Sequence, residues 1–455
     1  MKESHSANLN EIKLLVNQQK FHDAYKDICT YLKIRPNKAE ALLLGAFLAN
    51  KLEKYSKSEN LLKKAIEINP RNIGARVNLS SVLYKLEKFS ESKKIIIQTL
   101  NLRIEDPNIN SQLGSLAYRL GLFEESKLFI SQAIKKSSNK RELLYRLSFS
   151  YLALGLVDDG WALFENRIGI ITQNSVRFIP RIIYNKSDYW KGENLQMKSL
   201  LVVYEQGFGD FIQFLPYVLN LKKNFHFRLK IVCKKQLIPL LKNITEIDEI
   251  YDDEDKISLE KINFDFWVFI MSLPNIFSNI NLKHEVNTPY IDSNKQIFTQ
   301  QELRKDKKLS VGIVWKGNPN HKNDKYRSIS DMSLIKKISK VDSINFYSLQ
   351  INEEIKQFGA INLISLDGYI DNFQDTVNIV SSLDLVIAVD TSIVHLCGAM
   401  NKECWLLLSR VNTDWRWVKE TSTQYNSVKI FMQKEYNFWG DVIDEVCFEL
   451  KKLTT

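Results

Sequence analysis

The chain has 455 residues, 44% of them hydrophobic and 25% charged, with a formal net charge of +10 at pH 7. That length exceeds one ordinary core and predicts two to four domains of ~100–200 residues each, while the composition argues against a wholly disordered chain and against a membrane bundle. No apolar run approaches the ~20 residues that cross a bilayer, and the opening MKESHSANLNEIK lacks the apolar stretch of a secretory signal, so a cytoplasmic location is expected. Positive charge attracts nucleic acid, membranes and small anions alike. Here the lysines are dispersed, with no block denser than pairs such as Lys222-Lys223 and Lys234-Lys235, and no nucleic-acid partner is expected. Cys29, Cys233, Cys397, Cys404 and Cys447 are odd in number and free of C-x-x-C spacing, which predicts reduced thiols rather than a disulfide frame or a zinc site.

The first third carries a repeat. Phe21, Tyr55, Phe89, Phe123 and Val157 are each 34 residues apart, and two columns of small residues keep the same step: Ala24, Ser58, Ser92, Ser126, Gly160, and Ala46, Ser80, Gly114, Ser148. Pro36 and Pro70 obey it too, whereas the next proline falls at Pro107, as a short insertion between repeats would produce. Small side chains at fixed offsets let two antiparallel helices approach closely, and one helix pair per ~34 residues is the tetratricopeptide period. Residues 5–165 are therefore read as four to five such repeats forming an α-solenoid, whose concave face is a surface for a peptide partner. Residues 166–197 lose the period and read as a connecting segment.

From residue 198 the pattern changes to alternating strands and helices. SLLVVY (199–204) is a continuous apolar run, as a strand buried on both faces of a parallel sheet requires, and it passes through EQGFGD into an amphipathic helix. LKIVCK, EIYD and DFWVFIMSLP continue the alternation. A second series runs from LSVGIVWKG through NFYSLQ, INLISLDG, NFQDTVNIVSS, LDLVIAVD, TSIVHLCGAM and ECWLLLS to a final helix, GDVIDEVCFELKKL. Two such series predict two Rossmann-like lobes, residues 198–300 and 301–435, with a C-terminal helix over 436–455.

Ligands of open α/β sheets sit beyond the carboxyl ends of the strands. Glu205, Gln206, Gly207 and Gly209 after the first strand, and Trp315, Gly317 and Asn318 after the first strand of the second series, are thus expected to line a crevice. In KGNPNHKNDKYRS, Lys322, Arg327 and Ser328 offer donors for phosphate oxygens. Asp390, Thr391 and Ser392 end the strand LDLVIAVD at a helix N-terminus, where unpaired amides favour an anion, and His395 lies one turn further on. Trp315, Trp415 and Trp417 are either stacking platforms for a base or sugar, or core. The acidic run Asp252-Asp253-Glu254-Asp255 contains D-x-D, but clustered carboxylates in a turn read as solvated surface, and no metal is assigned to them.

YEQGFGDFIQF, FDFWVFIMSLP, VGIVWKGNPNHKNDKYRSI, DLVIAVDTSIVHLCGAMNKECWLLL and TDWRW together resemble GT-B glycosyltransferases of the heptosyltransferase, family-9-like type, in particular bacterial proteins joining tetratricopeptide repeats to such a module. The likeness spans residues 186–435, and the layout is also similar to that of repeat-bearing O-linked N-acetylglucosamine transferases. It implies a nucleotide-sugar donor, no cofactor, no metal, and an inverting transfer to a hydroxyl on a protein, lipid-linked or polysaccharide acceptor. It also implies that Asp210 is the base for that hydroxyl and that Thr391, Ser392 and His395 hold the donor diphosphate. Pro216 departs from the family, where an arginine is common, and Glu403-Cys404 replace a usual proline. The residues themselves meet the same demand, since sugar transfer needs a base for the incoming hydroxyl and positive groups for the departing diphosphate. Two readings follow: a glycosyltransferase, or a non-catalytic repeat scaffold whose transferase-like module only binds a partner or nucleotide.

Overall fold

The computed structural model of this chain describes residues 8–174, 183, 186–282, 286–292, 308–351, 363–418 and 425–454. The chain divides into two compact units, Met1–Leu154 and Gly155–Thr455.

The first unit is helical. Its pairs are Leu9–Asn17 with Phe21–Ile34, Ala39–Lys51 with Tyr55–Ile68, Ile73–Lys85 with Phe89–Thr99, and Pro107–Arg119 with Phe123–Lys136, followed by Arg141–Ala153. The aromatic column opens each second helix of a pair. First helices start at residues 39, 73, 107 and 141, so the step is constant and there is no insertion before Pro107. Pro107 instead occupies the first helical position behind the Asp106 cap, where a missing N–H costs nothing. The small columns are where the helices touch. Ser58 Oγ donates to the Ala46 carbonyl and Ser92 Oγ to the Ser80 carbonyl, both at 2.8 Å, and a Cβ on Gly114 would lie 2.5 Å from Ile130 Cγ1. Between paired helices one residue per repeat takes a left-handed backbone: Gln19, Glu53, Glu87 and Gly121, with φ of 59°, 57°, 60° and 73°. Only the last has the residue type that conformation favours.

Helix Val157–Phe164, expected to close the repeat array, belongs to the second unit. Its Trp161 meets Phe214 and Trp415 edge to face, each at 5.4 Å between ring centres, and this aromatic packing outranks the repeat register still visible at Val157 and Gly160.

The second unit holds two parallel sheets of α/β type. The first orders β1 (Asp188–Tyr189), β5 (Phe266–Phe269), β2 (Ser199–Val203), β3 (Arg228–Cys233) and β4 (Glu249–Asp252). The segment expected to be a connector thus supplies an edge strand, with Tyr189 paired to Trp267. The second sheet orders β11 (Val428–Met432), β10 (Cys404–Leu408), β9 (Leu385–Val389), β6 (Leu309–Val314), β7 (Ile344–Ser348) and β8 (Ile364–Ser365). Numbered from β6, that is the 3-2-1-4-5-6 order of doubly wound sheets. β2, β6, β9 and β10 are buried along almost their whole length, which explains their unbroken apolar runs. Helix Gly440–Thr454 is not a separate segment. Val442, Ile443, Val446 and Leu450 share one buried cluster with Ile335 and with Ile387 and Leu407 of the second sheet. All five cysteines are free thiols, four of them buried. Among the described residues no helix is long and apolar enough to cross a membrane.

Candidate functional site

Strand order reverses in the second sheet between β6 and β9, and in open α/β sheets the crevice at that point is where ligands enter. The polar loop after β6 and the turn after β9 meet there. Gly317 N donates to Ser328 Oγ at 2.9 Å, Ser328 Oγ donates to Asp324 Oδ1 at 2.9 Å, and Arg327 reaches Asp324 Oδ1 through Nε at 3.1 Å. Arg327 Nη1 then crosses to the Asp390 carbonyl at 3.0 Å. A Cβ on Gly317 would lie 2.5 Å from Arg327 Nη2, so a glycine is needed for the loop to lie over the guanidinium. Trp417 Nε1 donates to Asp390 Oδ1 at 3.0 Å. Burial, followed by repulsion from Asp414, pushes the Asp390 carboxyl up to about 6.

Helix Ser392–Ala399 begins at this turn with Thr391 as its N-cap, yet the Thr391 side chain caps nothing. Its Oγ1 is buried without a hydrogen-bond partner, and among the described residues neither the Ser392 nor the Ile393 amide donates to a protein acceptor. Unspent donors at a helix N-terminus make an anion-binding corner. His395 packs over Trp417 with 5.3 Å between rings and lies 3.4 Å from the Tyr425 hydroxyl. Burial, reinforced by the Arg416 charge, pulls its imidazole down to about 3, so the ring is neutral and shapes this corner without adding charge.

The opposite wall comes from helix Phe208–Asn224. Asp210 is its third residue, and its Oδ2 accepts from the Gly207 amide at 2.8 Å, so the carboxylate caps its own helix. Its Oδ1 accepts from Arg416 Nη2 at 2.6 Å. Burial raises the Asp210 carboxyl above the ordinary aspartate range against the counter-pull of Arg416. The helix approaches the anion corner closely: a Cβ on Gly209 would stand 2.6 Å from His395 Cδ2 and 3.3 Å from Ser392 Cα. Arg416, only 7% exposed, also donates through Nη1 to both Asp414 carboxylate oxygens and through Nε to Gln213 Oε1.

The remaining expected residues have other surroundings. Glu205, read as crevice lining, is buried. Its Oε1 accepts from Arg167 Nη2 at 2.6 Å and from the Met271 amide at 3.0 Å, and its Oε2 accepts from Arg167 Nε at 3.0 Å. Gln206 is exposed with a φ of 60°. Trp315 is fully buried in the core of the second sheet. Asn318 is exposed and accepts from the Asn320 amide, and Lys322 is exposed and joins none of the contacts above. Trp415 stacks on Arg416, 4.6 Å from ring centre to guanidinium carbon. In the D-x-D run Asp253 pairs with Lys234 at 2.7 Å and Asp255 caps the helix Lys256–Lys261. Sequence reading missed Arg416 and Arg167. The first was signalled by an arginine wedged between two tryptophans, a setting that favours a stacked, buried guanidinium.

The chain thus joins a helix-pair repeat unit to a pair of parallel α/β sheets. No protein-family model matches it. It is similar to Protein FlbA of Caulobacter vibrioides, with 25% identity over 330 residues, covering 66% of this chain and 53% of that protein. The chain therefore spans about half the length of that curated relative. Among solved structures it is similar to YrrB, described as a tetratricopeptide-repeat protein with an unusual peptide-binding site, at 16% identity over 38% of this chain and 91% of that one, TM-score 0.33. MamA is similar at 15% identity over 36% of this chain and 94% of that one, TM-score 0.32.

Proposed function

We propose that residues 155–455 form a GT-B glycosyltransferase that moves a sugar from a nucleotide-diphosphate donor to a hydroxyl acceptor with inversion, and that the repeats bind the acceptor or a peptide partner. The observation that carries this reading is the corner at the switch point of the second sheet, where Thr391 Oγ1 and the first amides of helix Ser392–Ala399 remain unspent opposite the Asp210 carboxylate. A diphosphate seated on those amides, with Arg327 beside the turn, has part of its charge answered by donors already aimed at it. Asp210 then accepts the proton of the attacking hydroxyl, and burial has raised its basicity towards that task. Neutral His395 and the Trp417 contact hold the turn in place.

The test is release of nucleoside diphosphate from a panel of nucleotide sugars by the purified chain, together with thermal-shift screening of the same donors. A preferred donor stabilises by RT ln(1 + [L]/Kd). The Asp210→Asn variant is expected to lose ~10²–10⁴-fold in turnover, the usual contribution of a general base. Activity should fall as pH drops through the raised Asp210 value, where the carboxylate takes up a proton. Arg416, Asp414, Glu205 and neutral His395 are the groups that face or influence it. Unchanged turnover in Asp210→Asn would remove the residue from this role. A second reading, a scaffold that binds nucleotide or partner without catalysis, is favoured by one observation: both Asp210 oxygens are already engaged, by Arg416 and by the Gly207 amide. Donor-dependent stabilisation without any diphosphate release would select it.

A further inference from the structure

Arg416 lies where the two walls of the candidate site meet, and its N–H groups are directed at Asp210, Asp414 and Gln213. One residue on, Trp417 fastens to Asp390, the residue before the Thr391 corner. One residue before Asp210, the Gly209 backbone packs against Ser392 and His395. The guanidinium thus touches the candidate base, and its charge also acts on Asp390 and His395, which border the candidate diphosphate seat. Three carboxylates, those of Asp210, Asp414 and Asp390, crowd this junction, with Arg327 and Arg416 as the cations facing them. A diphosphate entering that field meets repulsion unless a cation turns towards it.

We infer that Arg416 is a shared cation, holding Asp210 in the resting protein and shifting to the leaving diphosphate during transfer, so that base protonation and leaving-group departure draw on one guanidinium. The inference rests on the glycosyl-transfer reading above. The charge balance is direct. The acceptor oxygen forms its bond to the anomeric carbon and gives its proton to Asp210. The bond from that carbon to the diphosphate oxygen breaks, and its electron pair stays on the diphosphate. Asp210 loses one negative charge in the same step in which the diphosphate gains one, and Arg416 stands between the two. A bidentate-capable, permanently charged group is suited to such an exchange between carboxylate and phosphate oxygens.

A double-mutant cycle read by calorimetric binding of inorganic pyrophosphate tests this on the full chain. Arg416→Gln should weaken binding about tenfold, whereas Asp210→Asn, which frees the guanidinium, should tighten it about tenfold, within the usual range of coupling between linked sites. In the Arg416→Gln background the Asp210→Asn change should keep only the smaller gain from removing a repelling charge, because the carboxylate then has no cation to withhold. Arg416→Lys keeps the charge and should retain most of the affinity, which serves where the glutamine variant fails to fold. The inference is overturned if Asp210→Asn leaves affinity unchanged or weaker, if its effect is as large without Arg416 as with it, or if the native chain does not bind pyrophosphate at all. Diphosphate release from donors by the native chain reports separately on the transfer reading: a positive binding cycle with no release removes the reaction and leaves the shared cation as a feature of an anion site.

Discussion

The two sheets of the second unit follow one construction and finish it differently. Each is parallel, each reverses its strand order once, and each therefore offers a crevice at the carboxyl ends of two neighbouring strands. In the first sheet the crevice between β2 and β5 is filled by the protein itself. Arg167, fully buried, forks onto Glu205 after β2 and donates to Ser272 Oγ after β5, while Glu205 accepts from the Met271 amide. In the second sheet the matching position between β6 and β9 keeps a threonine hydroxyl and helix-terminal amides unspent. The same topology becomes an anchor where the chain supplies its own ion, and a candidate binding corner where it does not.

Substitutions that break one side and spare the other sharpen this contrast. The largest effect is expected from Arg167→Met, which strands the Glu205 carboxylate in the interior. Losing one partner of a buried pair costs about 3–5 kcal/mol, and chemical denaturation followed by the first lobe's tryptophans should register it. A loss below about 1 kcal/mol, the scale of a surface pair, would mean that the filled crevice is not an anchor. Gly209→Ala comes next, because its methyl group has to displace the buried His395 ring. Overpacking of that kind costs about 1–3 kcal/mol, and donor turnover should fall with it. Thr391→Val should separate stability from binding. Removing a buried hydroxyl with no partner leaves the unliganded melting temperature unchanged or higher, while pyrophosphate affinity drops about tenfold, the equivalent of one hydrogen bond to an anion. A destabilised apo protein would show that the hydroxyl is already in use. The smallest change lies outside both sheets, in the repeats. Glu53→Gly relieves a side chain held at a φ of 57° and should raise the stability of the first unit by about 1 kcal/mol, read as a shifted denaturation midpoint.

Much of this architecture was readable along the chain. The 34-residue columns fall on the helices from Phe21–Ile34 to Arg141–Ala153 but not on Leu9–Asn17, and the runs SLLVVY, LSVGIV, LVIAV and CWLLL marked four central strands. Edge strands were harder to see. β1 has two residues, and β11 buries only Val428 and Phe431 while Lys429 and Met432 are exposed, a weaker mark than a continuous apolar run. Of the expected site, Asp210, Arg327, Ser328, Asp390, Thr391, Ser392 and His395 gather at one junction, whereas Glu205, Trp315, Asn318 and Lys322 do not share it. Post-strand position brings a residue near the crevice, but which way its side chain turns depends on partners distant in sequence.

By itself the sequence determined the periodicities, and through them the repeat helices, the buried strands and the turns after them, because backbone sterics and apolar spacing act between residues a few positions apart. The tertiary structure alone decided that Trp161 leaves the repeat array for Phe214 and Trp415, that Arg167 closes one crevice, and that Arg416 grips Asp210 across 206 positions. Those outcomes turn on where a charge or an aromatic ring finds compensation once water is excluded, and such a partner can come from any part of the folded chain.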